Sequence, residues 1–296
     1  MQSFYDQIRA NKVRTYFLMV SFSLLVIILG YLLGVVLANN GFTGMIIAFF
    51  FGIIYMVMAY NQGSDWILAM SHAKPVSKKQ DPFLVNTVEA LAIAAGIPTP
   101  KVYMIEEDSI NAFTTGKDEK HSVVCITSGA RKKLSRLELE GVIAHEISHI
   151  KNHDVKVMML AAVLVGVVVM ISDLMLRSFW FSRRDERRGN GLIILIALLL
   201  ALLAPLIAQI IKLAVSRQRE FLADASAVKL TRYPKGLADA LRKIKNDTDK
   251  VVDTANRSTA HLYIENPLRH KNDWISKLFS THPPIDERIK RLEAMM

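Results

Sequence analysis

Four long apolar segments constrain the possible folds of this chain more than any other feature. Residues 15–38 carry no charge over 24 positions, and such a helix, rising about 1.5 Å per residue, exceeds a hydrocarbon core of about 30 Å. Residues 41–60 follow after only Asn39-Asn40, which predicts a tight helical hairpin. Residues 155–176 and 192–215 are also apolar, with few interruptions, and predict a second hairpin.

Basic residues predict that the N-terminus faces the cytoplasm. Arg9, Lys12 and Arg14 precede the first apolar segment, whereas the Asn39-Asn40 turn has no basic residue, and basic residues favour the cytoplasmic side. The first segment is also longer than the apolar core of a signal peptide, about 7–15 residues, so we expect an uncleaved anchor. After two crossings, residues 61–154 return to the cytoplasm.

The connection within the second hairpin does not fit this simple topology. Residues 177–191 hold five arginines, although four crossings would place them outside the cytoplasm, against the positive-inside rule. Either the second hairpin does not cross fully, or the first hairpin dominates the orientation. In both cases the two ends of the second hairpin emerge on the same side of the membrane.

Charge and cysteine content limit the partners of the protein. The formal net charge is +10, but the basic residues are spread over juxtamembrane positions and the soluble parts, without an interleaved aromatic patch. Anionic lipid is therefore a simpler partner than nucleic acid. Cys125 is the only cysteine, so no intrachain disulfide forms, as expected in the cytoplasm. Its apolar surroundings predict core packing rather than a nucleophile.

The sequence His145-Glu146-Ile147-Ser148-His149 has the spacing of a metal-binding helix. Two histidines four positions apart lie on one helical face and can reach one Zn²⁺. A catalytic zinc site keeps a position for water, from which Glu146 would take a proton. Ser135 and Glu138 predict a capping box at the start of this helix, which places the motif in mid-helix.

A third metal ligand must come from another segment. His153 is eight positions from His145, about 12 Å along the helix axis, which zinc–nitrogen bonds of about 2 Å cannot span. Glu220 and Asp224 share a helical face. One of them can bind the metal while the other accepts a hydrogen bond from a ligating imidazole. A solvated acidic pair balanced by nearby arginines is the alternative.

These motifs resemble the HtpX family of bacterial membrane zinc proteases, which is related to the CAAX prenyl proteases. The resemblance rests on the His-Glu-Ile-Ser-His helix, the Arg-Glu-Phe-Leu-Ala-Asp segment and the flanking apolar hairpins, and it covers essentially the whole chain. It implies a gluzincin site with one zinc per chain. In that site His145, His149 and Glu220 bind the metal, Glu146 is the catalytic base, and Asp224 supports a ligand.

The resemblance implies further site residues. Asn111, Ala112 and Phe113 match a strand edge that pairs with substrate, and backbone pairing suits an extended peptide of almost any sequence. His282 matches the histidine of a late His-Pro motif that could donate to the oxyanion of the tetrahedral intermediate. Arg288 could steady that oxyanion or Glu220. A proline-terminated turn and a surface helix are the alternatives for His282 and Arg288.

The fold class we expect is an α-helical membrane protein with an α+β, zincin-like soluble domain. Strand patterns at 101–105, 110–115 and 122–127 predict a small antiparallel sheet beside the motif helix, and the four hydrophobic helices form two hairpins. The predicted domains are a cytoplasmic N-terminus (1–14), the first transmembrane hairpin (15–60), the first half of the metalloprotease domain (61–154), the second hydrophobic hairpin (155–215) and the second half of that domain (216–296).

The expected function is that of an integral membrane zinc endopeptidase. The resemblance implies that it hydrolyses misfolded or damaged membrane proteins in quality control and stress response, in the bacterial inner membrane with its catalytic domain towards the cytoplasm. Its partners would be those substrates and the lipid bilayer, and its oligomeric state is left open. The alternatives are a prenyl-protein processing protease and a non-catalytic membrane scaffold. The scaffold is less favoured because structural zinc sites usually have four protein ligands.

Overall fold

The computed structural model of the protein describes four continuous stretches and several shorter pieces. The described residues are 40–166, 217–248, 259–265 and 283–296, with 13, 16–17, 19–28, 30–31, 34–35, 252, 255 and 267. The predicted apolar segment 192–215, the arginine-rich connection 177–191 and His282 lie outside them. The predictions made for those parts remain predictions.

The first apolar hairpin is described in part. Its first helix includes α1 (Met19–Ile28) and its second helix is α2 (Gly41–Met70). Within the described residues, α2 is the one helix long and apolar enough to cross a membrane, with a mean hydropathy of 2.2 in a window that is only 6% buried. Asn40 caps its start by accepting a hydrogen bond from the Thr43 amide. The helix continues ten residues beyond the predicted end of the span at residue 60.

Glycines allow the two helices of this hairpin to approach closely. A Cβ atom on Gly44 would lie 2.2 Å from the Gly30 carbonyl oxygen, and one on Gly34 would lie 2.8 Å from the Gly44 Cα. Small residues at such contacts are common where membrane helices pack without a hydrophobic driving force. The predicted first hairpin therefore has a backbone-to-backbone contact.

The predicted third apolar segment begins as helix α6 (Val155–Gly166). Its side chains from Val155 to Val165 are mostly buried, because the helix packs against α2 and the sheet. Gly63 of α2 faces Met159 and Val163, and the Tyr55 hydroxyl donates to the Val163 carbonyl at 3.2 Å. The described residues thus contain the beginning of the second hairpin, and the full set of four hydrophobic helices stays a prediction.

The sheet is mixed, so the predicted antiparallel sheet is wrong. Its strands are β1 (Lys74–Pro75), β2 (Lys101–Ile105), β3 (Ala112–Gly116) and β4 (Ser122–Thr127), in the order β1-β2-β4-β3. The strands β3 and β4 form an antiparallel hairpin, but β4 lies between β3 and β2 and runs parallel to β2. The chain passes from β2 to the outer position of β3 and then returns as β4 into the position between them. This crossover places β4 beside β2 in the same direction.

The helices of the soluble part surround one central helix, α5 (Arg136–Lys151). The surrounding helices are α3 (Pro82–Ala95), the short α4 (Ser128–Lys133), α7 (Arg217–Thr231), α8 (Pro234–Asn246) and α9 (Ile285–Glu293). Helix α5 contacts α3, α7 and α8, and one side of it faces β3 and β4. Residues from both soluble stretches therefore share one hydrophobic core around α5.

Local sequence signals set the ends of α3. Asp81 caps it by accepting from the Leu84 amide, Pro82 occupies its first position, and Gly96 ends it in the left-handed conformation with φ of 68°. A left-handed residue after a helix is usually glycine because it has no Cβ penalty. Both ends of α3 are therefore set by residues next to them in the chain.

Candidate metal centre

The His-Glu-Ile-Ser-His motif lies within α5, as its capping signals predict. The Ser135 amide donates to the Glu138 carboxylate at 2.6 Å and the Ser135 hydroxyl accepts from the Glu138 amide, so the capping box is present. The three chemically active side chains of the motif are buried, with exposed fractions of 1% for His145, 1% for Glu146 and 3% for His149. The motif is therefore held inside the domain, away from bulk water.

The structure brings together the side chains of His145, His149 and Glu220. The two Nε2 atoms are 3.2 Å apart, and the carboxylate oxygens of Glu220 lie 3.7 Å from the first and 3.5 Å from the second. With bonds of about 2.0–2.1 Å, the ligand atoms of a tetrahedral zinc ion are about 3.3 Å apart. The spacing of these three donors therefore fits one face of a tetrahedral zinc site.

Asp224 and Arg288 stand behind the first histidine. The Nδ1 atom of His145 is 2.9 Å from Asp224 Oδ1, so it donates there and leaves the Nε2 lone pair directed at the donor cluster. Burial and the charge of Arg288 lower the pKa of His145 to about 4. Although burial alone would raise the pKa of Asp224, the Arg288 charge lowers it to about 2. This histidine is therefore neutral at pH 7, as a metal ligand must be.

Asp154 supports the second histidine in the same way, a role that no motif in the sequence indicates. Its Oδ2 atom is 3.1 Å from His149 Nδ1, and its Oδ1 atom is 3.5 Å from Nη1 of the buried Arg219. Burial lowers the pKa of His149, but the Asp154 hydrogen bond and the Glu220 charge outweigh it and raise that pKa to about 9. The available signal was an aspartate placed just before an apolar helix, which by itself indicates only a cap.

Glu146 lies one position along the helix from the first histidine. Burial raises the pKa of its carboxyl to about 8. Its Oε2 atom is buried and accepts no hydrogen bond from the residues that the structure describes. A buried carboxylate with an unused oxygen beside the donor cluster can take and return a proton near neutral pH.

The remaining predicted site residues lie around this cluster or beyond the described residues. Ala112 and Phe113 begin the edge strand β3, Asn111 directly precedes it, and all three are buried. His153 has a positive φ of 58° and a side chain that is 40% exposed, 3.6 Å from Glu119, which agrees with its exclusion as a ligand. His282 cannot be placed, because it is outside the described residues.

Arg288 is completely buried on the inner face of α9, although the outer face of that helix is exposed. Its Nη1 atom is 3.8 Å from Glu220 Oε2 and donates to the Ile264 carbonyl at 3.1 Å. The arginine therefore contacts both Glu220, which is one of the three donors, and Asp224, which accepts from His145. It thus acts on the side chains of the candidate metal centre.

Comparison with known proteins identifies the family of this chain. The sequence matches the description of peptidase family M48 over residues 78–296. A "Protease HtpX homolog" from Dictyoglomus thermophilum is 47% identical over 293 residues, which cover 99% of this chain and 95% of that protein. A protein of the same name from Listeria monocytogenes serotype 4a is 44% identical over 304 residues, covering 98% of this chain and 99% of that protein.

A solved structure is also similar. The crystal structure of S. mikatae Ste24p matches with a TM-score of 0.49 and 21% identity, covering 97% of this chain and 66% of that one. The family match spans most of the chain and includes every residue of the donor cluster. The family match and the apolar helix α2 together support a membrane metalloprotease. The chain belongs to peptidase family M48, and its resemblance to the HtpX proteins is confirmed.

Proposed function

We propose that this chain is an integral membrane zinc endopeptidase that hydrolyses misfolded or damaged membrane proteins. The observation that carries the proposal is the convergence of donor atoms from His145, His149 and Glu220, all within 4.8 Å of one another, beside the buried carboxylate of Glu146. Each chain would hold one zinc ion. The donor set of two imidazoles and one carboxylate is that of catalytic zinc sites with a position left for water or substrate.

A zinc ion held there would polarise the substrate carbonyl and make the attacking water more acidic. Glu146 would take the proton from that water and return it to the leaving amine. His282 would donate to the developing oxyanion, as the family resemblance implies.

The supporting residues would keep the histidines in one orientation. Asp224 accepts from His145 and Asp154 from His149, so each imidazole would present Nε2 to the metal. Such partners behind the ligands typically contribute a factor of about 10–100 in metal affinity or activity. Arg288 would neutralise the acidic groups of the site and fix Asp224.

The position of the site near apolar helices supports a membrane substrate. Helix α5 ends at Lys151 and the apolar α6 begins at Val155. The candidate metal centre on α5 would therefore lie close to the bilayer. We place the catalytic domain on the cytoplasmic side of a bacterial inner membrane, with the lipid bilayer and unfolded membrane proteins as its partners. Quality control and a stress response are the proposed physiological setting.

The experiment that tests the proposal compares wild type with Glu146→Gln in detergent, using an unfolded membrane protein and casein as substrates. Bound zinc is measured on the same samples. We expect about one zinc per chain in both and a rate loss of at least about 10²-fold in the variant. Glu140→Gln, on the same helix and partly exposed, is the matched control and should cleave like wild type.

Other outcomes favour other functions. Equal cleavage by wild type and Glu146→Gln would assign the activity to a contaminant. Zinc binding without cleavage of any substrate would favour a membrane scaffold. Cleavage of a farnesylated peptide but not of casein would favour a prenyl-protein processing protease.

A further inference from the structure

The outer edge of strand β3 is occupied by the chain itself. The Ile264 amide donates to the Ala112 carbonyl at 2.9 Å, and the Asn111 side-chain amide donates to the Glu265 carbonyl at 3.0 Å. Phe113 and Tyr263 face each other in an antiparallel bridge, with their ring centroids 5.0 Å apart. Residues 263–265 thus lie along β3 as an extended peptide would, directly after a short 3-10 helix at Ala260–Leu262. We call residues 259–265 the edge segment.

These contacts use the polar groups that an extended substrate would need. The other side of β3 is already paired with β4, so only its outer row of amide and carbonyl groups is available. A strand edge offers that row to one partner at a time. A substrate that pairs with Asn111 and Ala112 and the edge segment in its present place therefore exclude each other.

The edge segment is also connected to the metal-binding side chains. Arg288 donates to the Ile264 carbonyl through Nη1 at 3.1 Å and to Asp224 through Nη2 at 2.7 Å. Asp224 is the partner of His145. A backbone carbonyl of the segment therefore lies two hydrogen-bonded side chains from a metal ligand. The segment occupies the part of the β3 edge that adjoins the donor cluster, not a remote part.

The edge segment is packed as firmly as the core. Thr259, His261 and Tyr263 are at most 2% exposed. Tyr263 belongs to the hydrophobic cluster that also contains Phe113 and side chains of α2 and α6. The His261 Nε2 atom is 3.2 Å from the Met158 carbonyl of α6. The segment therefore contacts both the substrate edge and the apolar helix that follows the catalytic helix.

We propose that the edge segment is a built-in competitor of the substrate, so that the conformation described here is a closed state of the peptidase. Substrate binds only when residues 259–265 leave the outer edge of β3. The apparent affinity for substrate is then the intrinsic affinity multiplied by the open fraction of the molecules. This inference rests on the proposed peptidase function, because it concerns access to the same site.

A reversible cross-link tests the proposal in the full-length protein. Phe113 and Tyr263 face each other with the Ile264 amide bonded to the Ala112 carbonyl, which is the arrangement of a closely spaced, non-hydrogen-bonded pair, about 4.5 Å between Cα atoms. That spacing allows a disulfide. The variant is Phe113→Cys/Tyr263→Cys with Cys125→Ala, because Cys125 is the β4 partner of Phe113.

The same molecules are assayed with casein before and after reduction, and the cross-linked fraction is measured by mass spectrometry. We expect the oxidised form to have a kcat/KM at least tenfold below that of the reduced form. Tyr263→Cys with Cys125→Ala, oxidised in the same way, should show no such difference. Equal activity of the cross-linked and reduced forms would overturn the proposal, because the segment would then be a permanent part of the fold.

Hydrogen exchange gives an answer even where the cysteine variant is inactive. Zinc-loaded Glu146→Gln protein is studied with and without saturating unfolded casein, whose binding is followed by fluorescence anisotropy. We expect the Ile264 amide to exchange at least tenfold faster with casein bound. An amide that stays equally protected at saturation would overturn the proposal. A wild type that hydrolyses no substrate would instead contradict the proposed function.

Discussion

Arg288 donates hydrogen bonds to both carboxylate oxygens of Asp224, through Nε at 2.9 Å and through Nη2 at 2.7 Å. The pair is buried, and Asp224 in turn accepts from the His145 ring at 2.9 Å. An arginine of α9 thereby fixes an aspartate of α7, which orients a histidine of α5. Three separate helices contribute to the position of one imidazole of the candidate metal centre.

Removing Arg288 should destabilise the protein strongly. Arg288→Met would leave the buried Asp224 carboxylate without its compensating charge, which typically reduces the free energy of unfolding by about 3–5 kcal/mol. Thermal unfolding of the zinc-free protein in detergent measures the change. Arg288→Met/Asp224→Asn should recover part of the loss. Lys290→Met, exposed on the same helix, is the control, and an equal loss there would refute the explanation.

Replacing Asp154 should weaken zinc binding. Asp154→Asn removes the carboxylate that accepts from His149 Nδ1, and we expect the zinc dissociation constant to rise about 10–100-fold. Chelator competition measures the zinc dissociation constant. It is carried out at pH 9, because protons compete only weakly with zinc for His149 at that pH. Asp247→Asn is the control, since Asp247 is a buried carboxylate that pairs with Lys133 in another part of the domain. An unchanged constant for Asp154→Asn would contradict the role given to this residue.

Zinc affinity should increase with pH. In the zinc-free protein the pKa of His149 is raised to about 9, so below that pH its ring is protonated and must lose a proton to bind metal. The pKa of His145 is lowered to about 4, so that ring does not compete. We expect the affinity to rise about tenfold per pH unit between pH 6 and pH 8.

Chelator competition corrected for chelator protonation tests this pH dependence. A flat profile would show that His149 is already neutral. In Asp154→Asn the slope should be smaller, because the group that raises the pKa of His149 is gone. Protonated His149 also stabilises the zinc-free fold through Asp154. That stabilisation is fully present below the unfolded pKa of about 6.5 and is lost as pH rises through about 9.

The two ends of α2 should lie on opposite sides of the membrane. An alkaline phosphatase reporter inserted after Asn40 should be active, because we place that turn outside the cytoplasm. The same reporter fused after Met296 should be inactive, whereas a fluorescent protein fused there should fluoresce. Activity of alkaline phosphatase at both positions, or at neither, would contradict the topology. Protein levels of each fusion, measured by immunoblot, control for expression.

Much of the candidate site could be predicted because its signals are local. The capping box of Ser135 and Glu138, the spacing of His145 and His149 and the start of α3 at Pro82 depend on residues within one or two turns of a helix. Neighbours in the chain are enough to specify such features. The family resemblance supplied Glu220, which no local pattern distinguished from a solvated acidic residue.

What the sequence did not reveal depends on contacts between distant residues. The periodicity of apolar residues marks strands and helices, but it does not say that β4 lies between β2 and β3, which makes the sheet mixed. The burial of Arg288 and its pairing with Asp224 also required the packing of α9 on α7.

The sequence by itself determined the apolar hairpin, the motif helix and the spacing of His145 and His149, because caps, periodicity and spacing act over short distances. Only the tertiary structure decided that Glu220 joins those two histidines, that Asp154 supports His149 and that residues 263–265 lie on the outer edge of β3. Phe113 and Tyr263 are far apart in the chain, and Asp154 contacts His149 only because the chain turns back after the end of α5. They exist only when the packed core holds both partners in place.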